Sequence, residues 1–211
     1  MIKVTYIDHM GSDLSVVNAA RVSFGKTHKA MTVGDFKLIH YLAKHRHMSP
    51  FGHAFASFHV KAPIFVARQL VKHKFLRWNE ISRRYVDDEP EFYVPDVWRG
   101  RSADKKQGSD GEVTLGTLDA AIVSDSPYDA LSAYKALLKS GVAPEQARMV
   151  LPQSTMTEWY WSGSLDAFAD MCNLRCKEDT QLETRLVANQ ICDSMHKLFP
   201  LSWKALRGLY G

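Results

Sequence analysis

The sequence predicts an α/β (α+β) fold in which a mixed sheet is flanked by helices and the C-terminal half is mainly helical. Alternating apolar residues, which are typical of strands, mark the start of the chain, whereas apolar residues three or four apart, which are typical of helices, dominate its end. The 211 residues are 45% hydrophobic and 24% charged, which is normal for one globular domain. We therefore expect residues 1–211 to form a single domain.

Strands and helices are expected to alternate in the first half of the chain. Residues 2–7 predict the first strand, because Ile2, Val4 and Tyr6 alternate with polar neighbours. Residues 54–60 predict a second strand. A first helix is expected at 14–22. A second should follow a capping box formed by Thr32 and Asp35, and a third is expected at 64–74, where Pro63 would occupy the first helical position.

The second half is expected to begin with a loop and to continue mainly as helices. Residues 99–116 are polar and contain glycine, which predicts a mobile surface loop. Ser126 and Pro127 would then start a helix that Gly141 stops, and a short helix would run from Pro144 until just before Pro152. A strand at 154–161 and helices at 165–176 and 181–198 complete the prediction.

Composition restricts the location of the protein. No apolar run exceeds four residues, so we expect no transmembrane helix and no membrane partner. The start of the chain lacks the basic and long apolar segments of a secretory signal. Three cysteines are too few for a disulfide framework, and an odd number is consistent with a reducing cytoplasm. The sequence therefore predicts a cytoplasmic protein.

Two short motifs are interpreted as structural rather than functional. Residues 25–27 are similar to the end of a phosphate-binding P-loop, but position 20 is alanine where that motif requires glycine. Cys172 and Cys176, like Cys192 and His196, are four residues apart and could hold zinc on one helical face. Because free cysteines are commonly buried, we interpret them as core side chains and expect no metal site.

The segment HRHMSPFGH, residues 45–53, is rich in histidine. A metal site is disfavoured because no carboxylate occurs between Lys37 and Lys61. Two interpretations remain. The histidines are solvated near a helix end, or neutral imidazoles of this segment line a ligand pocket together with the hydroxyl of Ser49.

The strongest functional signal lies between residues 67 and 85. Glu80, Ser82 and Arg84 alternate, so on an extended chain an acceptor, a hydroxyl and a guanidinium would project to one side. Such a row suits a polar heterocycle that carries a phosphate. Gln69 and Lys72 are three residues apart and would be neighbours on a helix. Lys72 also begins a run of positively charged and imidazole groups, Lys72, His73 and Lys74.

Arg175 lies on the predicted apolar face of its helix, beside Phe168 and Met171. An unpaired buried charge is costly, so this guanidinium needs an anion. That anion is either a carboxylate of the chain, from Glu178 or Glu183, or a ligand. Arg148, which precedes three apolar residues, poses the same question.

These residues resemble the flavin-dependent thymidylate synthase family. Its signature, Arg-His-Arg followed by seven residues and Ser, stands here as KHKFLRWNEIS, residues 72–82, with lysines at both arginine positions. Gly52 stands where the family usually has an acidic residue. Further segments resemble family blocks in the family's order: NAARVSFGK (18–26), HMSPFGH (47–53), ARQ (67–69), NEISRRY (79–85), ARMVLP (147–152) and NLR (173–175).

The resemblance implies a flavin-dependent thymidylate synthase-like fold and the FAD-dependent reductive methylation of dUMP to dTMP. It implies methylenetetrahydrofolate as the carbon donor, NADPH as the reductant, a homotetramer with shared active sites, and no cysteine nucleophile. Two alternatives stay open. One is a flavin enzyme that acts on a related deoxyuridylate to give a hydroxymethyl product. The other is a basic nucleic-acid-binding module built on residues 72–84. The family resemblance, by contrast, implies no nucleic-acid partner.

The resemblance also implies roles for individual residues. Arg175 would hold the uracil ring and stabilise the negative charge that develops there, as the catalytic residue. The implied substrate-binding residues are Gln69, Lys72, Glu80, Ser82, Arg84, Arg148 and Arg175. The implied cofactor-binding residues are His47, Ser49, Lys72, His73, Lys74, Glu80, Ser164 and Asp170.

Overall fold

A computed structural model describes residues 1–86, 88–104 and 108–208. Its strands, in chain order, are β1 (Lys3–Met10), β2 (Phe55–Pro63), β3 (Arg77–Glu80), β4 (Trp98–Arg101), β5 (Ser109–Val113) and β6 (Met156–Ser164). Its helices are α1 (Asp13–Arg21), α2 (Val33–Lys44), α3 (Ile64–Leu70), α4 (Thr117–Lys139), α5 (Pro144–Ala147), α6 (Leu165–Arg175), α7 (Leu182–Leu198) and α8 (Pro200–Leu206).

A four-stranded sheet with the order β1-β2-β6-β3 forms the centre of the fold, and β4 pairs with β5 in a separate hairpin. This arrangement confirms the α/β (α+β) class with flanking helices and a helical C-terminal half. The expected mixed sheet is corrected, because each strand pairing within the described residues is antiparallel. Sequence distance does not reveal strand direction here, since long connections between β2 and β6 allow either one.

The core lies on one face of this sheet. Phe58 on β2 pairs with Trp161 on β6, and both side chains are fully buried. Phe168 of α6 packs edge-on against both rings, with centroids 5.3 Å from Phe58 and 5.6 Å from Trp161. Edge-to-face aromatic pairs combine a large buried area with favourable quadrupole contacts. The packing therefore holds the start of α6 rigidly on the sheet.

The predicted capping box of α2 is confirmed. Asp35 is buried and accepts hydrogen bonds from the backbone N–H and the hydroxyl of Thr32. The same carboxylate accepts two bonds from Arg21 and contacts the imidazole of His28. Burial by itself would raise the pKa of Asp35, but these hydrogen bonds outweigh it and lower that pKa well below its usual range. Asp35 thus ties α1 to α2.

Several predicted element boundaries are wrong: β1, β2 and β6 each end three residues later than expected, α5 is shorter, and α3 and α4 differ most. The helix expected at 64–74 ends at Leu70, and residues 71–75 continue as turns in which Phe75 takes a positive φ of 66°. Pro63 ends β2 and caps α3 rather than occupying its first turn. The helix expected from Ser126 begins at Thr117 and includes Pro127, where the hydroxyl of Ser126 donates to the carbonyl of Ile122.

The loop expected at 99–116 is corrected in the described part of the chain. Its two ends pair as β4 and β5, and residues 105–107 lie outside the described residues. Gly100 allows the strands to approach, since a Cβ there would lie 2.8 Å from the backbone oxygen of Asp110. Among the helices that the structure describes, none has the length and the apolar character that crossing a bilayer requires.

Candidate active site

A cavity of about 520 Å³ opens where the end of α3, the β4–β5 hairpin, the end of α6 and the start of α7 meet. Its lining contains three positively charged side chains and several amide and hydroxyl groups. The lining residues are Gln69, Lys72, Arg99, Gly108, Ser109, Arg175, Thr180 and Gln181. Three of the predicted substrate-binding residues, Gln69, Lys72 and Arg175, are therefore brought together.

Arg175 is half-buried at the last position of α6 and contacts His73. Its Nε donates a hydrogen bond of 3.0 Å to Nε2 of His73. Burial, and secondly the charge of Arg175, lower the pKa of His73 to about 4. His73 is therefore neutral at physiological pH, with Nε2 as acceptor and the proton on Nδ1. Burial also lowers the pKa of Arg175 below its usual value.

The anion that the sequence requires for Arg175 is not a carboxylate of the described chain. Glu183 pairs with Arg99 instead, at 2.7 Å between Oε1 and Nη2. None of the ion pairs found within residues 1–86, 88–104 and 108–208 involves Arg175. The internal salt bridge is thus rejected for these residues, and the terminal guanidinium nitrogens of Arg175 can meet a ligand.

Gln69 supplies an acceptor without a partner. Its Nε2 donates a long hydrogen bond of 3.5 Å to Oε1 of Gln181, whereas its own Oε1 is buried and has no partner among the described residues. An unsatisfied buried acceptor is costly, and the side chain that carries this one lines the cavity. Lys72, exposed in the turn after α3, adds a positive charge to the same cavity.

The hairpin contributes site residues that sequence analysis missed. Arg99 donates from Nε to the hydroxyl of Ser109, at 2.7 Å, and bridges to Glu183, which also accepts from Tyr93. Burial, and secondly the charge of Glu183, raise the pKa of Tyr93. The alternation of arginines in the segment WRGR (98–101) could have indicated a strand, but the polar residues around it favoured the prediction of a loop.

Glu80, at the end of β3, lies outside the described lining of the cavity. Its Oε1 accepts a hydrogen bond of 2.6 Å from Thr157, and its Oε2 accepts one of 3.0 Å from the indole of Trp78. Trp78 in turn stacks on Trp159, with ring centroids 4.3 Å apart. These contacts hold the Glu80 carboxylate in one orientation.

The predicted row of Glu80, Ser82 and Arg84 is wrong as a geometry. β3 ends at Glu80, and residues 83–85 form a turn in which Tyr85 and Val86 donate to the carbonyl of Ser82. The hydroxyl of Ser82 accepts from the backbone N–H of Arg84 at 3.3 Å. The guanidinium of Arg84 is exposed and lies over the Tyr85 ring, 5.2 Å from its centroid. These hydrogen bonds join residues two to four positions apart, so they stabilise a turn in place of the expected extended strand.

The remaining predicted residues lie apart from the cavity lining in the described chain. Arg148 is exposed after α5 and donates to the carbonyl of Glu145. His47 is exposed and stacks on Tyr41, with centroids 5.9 Å apart. Of the others, Ser164 is buried before α6, whereas three are exposed: Ser49, Lys74 and Asp170.

The cysteines are also separate from the cavity lining. Cys172 is buried between α6 and α7, and Cys176 and Cys192 are partly buried beside it. Burial raises the pKa of the Cys172 thiol, which disfavours the nucleophilic thiolate. No thiol belongs to the lining formed by the described residues.

The donor set of the cavity fits two kinds of ligand. An unpaired amide oxygen accepts the N–H of an imide, and nearby cations balance negative charge on the ring or on a phosphate. Uracil and the isoalloxazine ring of a flavin both contain an imide N–H between two carbonyl groups. Gln69, Lys72 and Arg175 therefore suit a uridine nucleotide, a flavin nucleotide, or both stacked together.

Comparison with known proteins points to the same chemistry. Residues 5–201 match the family described as "Thymidylate synthase complementing protein". The chain is 43% identical over 202 residues to the flavin-dependent thymidylate synthase of Thermus thermophilus, covering 96% of this chain and 74% of that protein. It is 39% identical to the flavin-dependent thymidylate synthase of Thermosipho africanus, covering 94% and 88% of the two chains.

A solved structure supports the fold. The UMP/dUMP methylase PolB from Streptomyces cacaoi, crystallised with 5-Br dUMP, superposes with a TM-score of 0.86 at 33% identity, covering 99% of this chain and 95% of the other. The similarity to known proteins therefore extends from the sequence to the fold. This chain belongs to the thymidylate synthase complementing protein family.

Proposed function

We propose that this chain is a FAD-dependent thymidylate synthase that converts dUMP to dTMP, with methylenetetrahydrofolate as the carbon donor and NADPH as the reductant. The observation that carries the proposal is the convergence of Gln69, Lys72 and Arg175 on one cavity without a cysteine in its described lining. The names of the relatives support the reaction and the flavin. We infer that residues 1–211 act as a single domain.

Arg175 is the proposed catalytic residue. Addition to carbon 5 of uracil requires negative charge to develop on the ring, and a fixed guanidinium stabilises that charge without reorganisation. The hydrogen bond from Nε to His73 holds the Arg175 guanidinium in place, and its terminal nitrogens form no ion pair with the described residues. His73 stays neutral, so it does not compete with the substrate for a counter-charge. When bound, the flavin supplies the hydride that completes the methyl group.

Gln69 and Lys72 are proposed to orient the pyrimidine and the anionic part of the ligands. Once the Gln69 amide turns into the cavity, its Oε1, which has no partner among the described residues, would accept the imide N–H of uracil. The ammonium of Lys72 would approach a phosphate or a carbonyl oxygen. Arg99 is already paired with Glu183, so its role is to shape the wall of the cavity. The pyrimidine is thus activated electrostatically rather than by thiolate attack.

We infer a homotetramer with shared active sites. Arg84 and Arg148 are exposed and outside the cavity lining of one described chain, as expected if they bind the dUMP phosphate at a neighbouring subunit's site. Glu80 and Ser82 would then border the nucleotide across the same interface. The proposed FAD contacts are His47, Ser49, Lys72, His73, Lys74 and Glu80, with Ser164 and Asp170 as further cofactor-binding residues.

Release of tritium from carbon 5 of labelled dUMP tests this function. The purified chain should release tritium only when FAD, NADPH and methylenetetrahydrofolate are all present, and the product should co-migrate with dTMP. A hydroxymethyl product would instead indicate the modified-nucleotide alternative. A protein that binds no added FAD and releases no tritium, while retarding long DNA in a strongly salt-dependent way, would favour the nucleic-acid-binding alternative.

A second candidate substrate is UMP. The structural similarity to PolB, which is described as a UMP/dUMP methylase and was also crystallised with 5-Br UMP, favours it. The same assay with UMP labelled at carbon 5 compares the two nucleotides directly. Equal kcat/KM for both would show that the site does not discriminate at the 2′ position, and a large preference for dUMP would exclude the second candidate.

A further inference from the structure

Three thiols converge at a place that the proposed reaction does not use. Cys172 and Cys176 lie four residues apart on α6 and at its C-terminal cap, so they share one helical face. Cys192 reaches the same point from α7. The three Sγ atoms all lie within 4.8 Å of one another, and none is in a disulfide.

This spacing is close to that of a metal–thiolate site. Zinc–sulfur bonds of about 2.3 Å in tetrahedral geometry place sulfur atoms roughly 3.8 Å apart. The observed sulfur positions need to move together by less than about 1 Å, which side-chain rotation on two helices can supply. Thiolate ligands select soft or borderline cations such as Zn²⁺ and Cu⁺ over Mg²⁺ or Ca²⁺.

Cys176 and Cys192 have neighbours that suit bound thiolates, whereas the Cys172 thiol donates to the carbonyl of Ala188 at 3.6 Å and would give up that bond on binding a metal. The indole N–H of Trp203, on α8, donates to Sγ of Cys192 at 3.4 Å. Arg207 brings a positive charge near Cys176 and Cys192, and its buried Nε has no partner among the described residues. Such second contacts orient ligands and balance charge in known metal sites. Cys176 and Cys192 are partly exposed, so two of the three thiols are accessible from solvent.

Contrary to the expectation from the sequence that these are only core side chains, we propose that Cys172, Cys176 and Cys192 form a three-thiolate binding site for a thiophilic cation, with Zn²⁺ as its representative. Binding one Zn²⁺ would release the three thiol protons to solvent, leaving a cluster of net charge −1 that Arg207 offsets. The ion would cross-link α6 to α7 through Cys176, the residue that follows Arg175. It would thus stabilise the helix end that carries the catalytic guanidinium, while the proposal itself does not depend on the thymidylate synthase reaction.

Zinc binding to the intact purified chain under a non-thiol reductant tests the site. We expect one equivalent of Zn²⁺ per chain, and substitution by Co²⁺ should give a sulfur-to-cobalt charge-transfer absorption. Cys176→Ser and Cys192→Ser should each weaken binding by roughly a hundredfold or more, because loss of a ligand exceeds the usual effect of losing an outer contact. Far-UV circular dichroism without metal shows whether these partly exposed positions tolerate serine.

A second measurement keeps the result independent of folding defects in the variants. Zinc should raise the temperature of unfolding of the wild-type chain in a concentration-dependent way, as any ligand of the native state does. His196→Gln is the matched control, because it removes a potential ligand one turn from Cys192 but outside the cluster. This variant should bind zinc normally.

Three results would overturn the proposal. One is the absence of stoichiometric zinc binding to the reduced wild-type chain. Another is cobalt binding without a thiolate charge-transfer band. The third is loss of binding in His196→Gln with retention in Cys192→Ser, which would move the ion elsewhere.

Discussion

Replacement of Arg175 by alanine should leave the fold intact and reduce turnover by roughly a hundredfold or more. The magnitude corresponds to the removal of one preorganised donor to a developing oxyanion, about 2.7 to 4 kcal/mol of transition-state stabilisation. Arg175 is half-buried at a helix end, and none of the described ion pairs includes it, so no structural salt bridge is lost. The substitution should therefore lower kcat much more than it lowers the free energy of unfolding.

The pKa of His73 provides a second readout for the same variant. Burial is the larger cause of its lowering to about 4, and the charge of Arg175 is the smaller one. Arg175→Ala should therefore raise this pKa only part of the way towards 6.5, as an NMR titration of the imidazole would show. Arg175→Lys should keep part of the shift, because it keeps the charge but loses the planar donor.

The lowered pKa of His73 also affects stability in acid. Between pH 6.5 and about 4 the unfolded chain binds more protons at this position than the folded chain, so the stability that depends on neutral His73 falls as pH falls. Arg175→Ala should lose less stability than the wild-type chain between these two pH values. Urea unfolding at a series of pH values measures the difference.

Kinetics under saturating cofactors decide the catalytic role. Tritium release gives kcat and KM for wild type, for Arg175→Ala and for the control Arg185→Ala, whose guanidinium donates to the backbone carbonyl of Glu178. The control should keep near-normal turnover. Near-normal kcat in a folded Arg175→Ala variant would refute the electrostatic reasoning and remove Arg175 from the mechanism.

Three further predictions concern the surroundings of the site. The double change Lys72→Arg and Lys74→Arg should leave FAD affinity equal or tighter, measured by flavin fluorescence, and a collapse of binding would show a pocket adapted to ammonium groups. Gly100→Ala should raise KM for dUMP without unfolding the central sheet, because the added Cβ would lie 2.8 Å from a backbone oxygen in the hairpin that lines the cavity. In the control Gly34→Ala the nearest atom lies at 3.8 Å, so its free energy of unfolding should stay within about 1 kcal/mol of the wild-type value. Asp35→Asn should lower the free energy of unfolding by roughly 2 to 4 kcal/mol in urea, since it removes a buried charge that holds several donors, and an unchanged value would contradict that role.

Local patterns were sufficient for much of the secondary structure and for the chemistry of the site. The Thr32 and Asp35 capping box, and the helices expected at 165–176 and 181–198, appear in the structure within a residue at each bound. These signals are short-range, because caps and helical periodicity depend on neighbours within one turn. The cationic segment and its family resemblance likewise required no knowledge of the fold.

Packing between distant segments decided the rest. Residues 69, 99 and 175 share one cavity because α3, a hairpin and α6 meet, and no local pattern encodes that meeting. Arg175 contacts His73, whereas Glu183 pairs with Arg99, and the sequence did not reveal either pairing. The antiparallel direction of the sheet and the convergence of three thiols between two helices arise in the same way. Each depends on which surfaces bury one another, and only the folded chain establishes that.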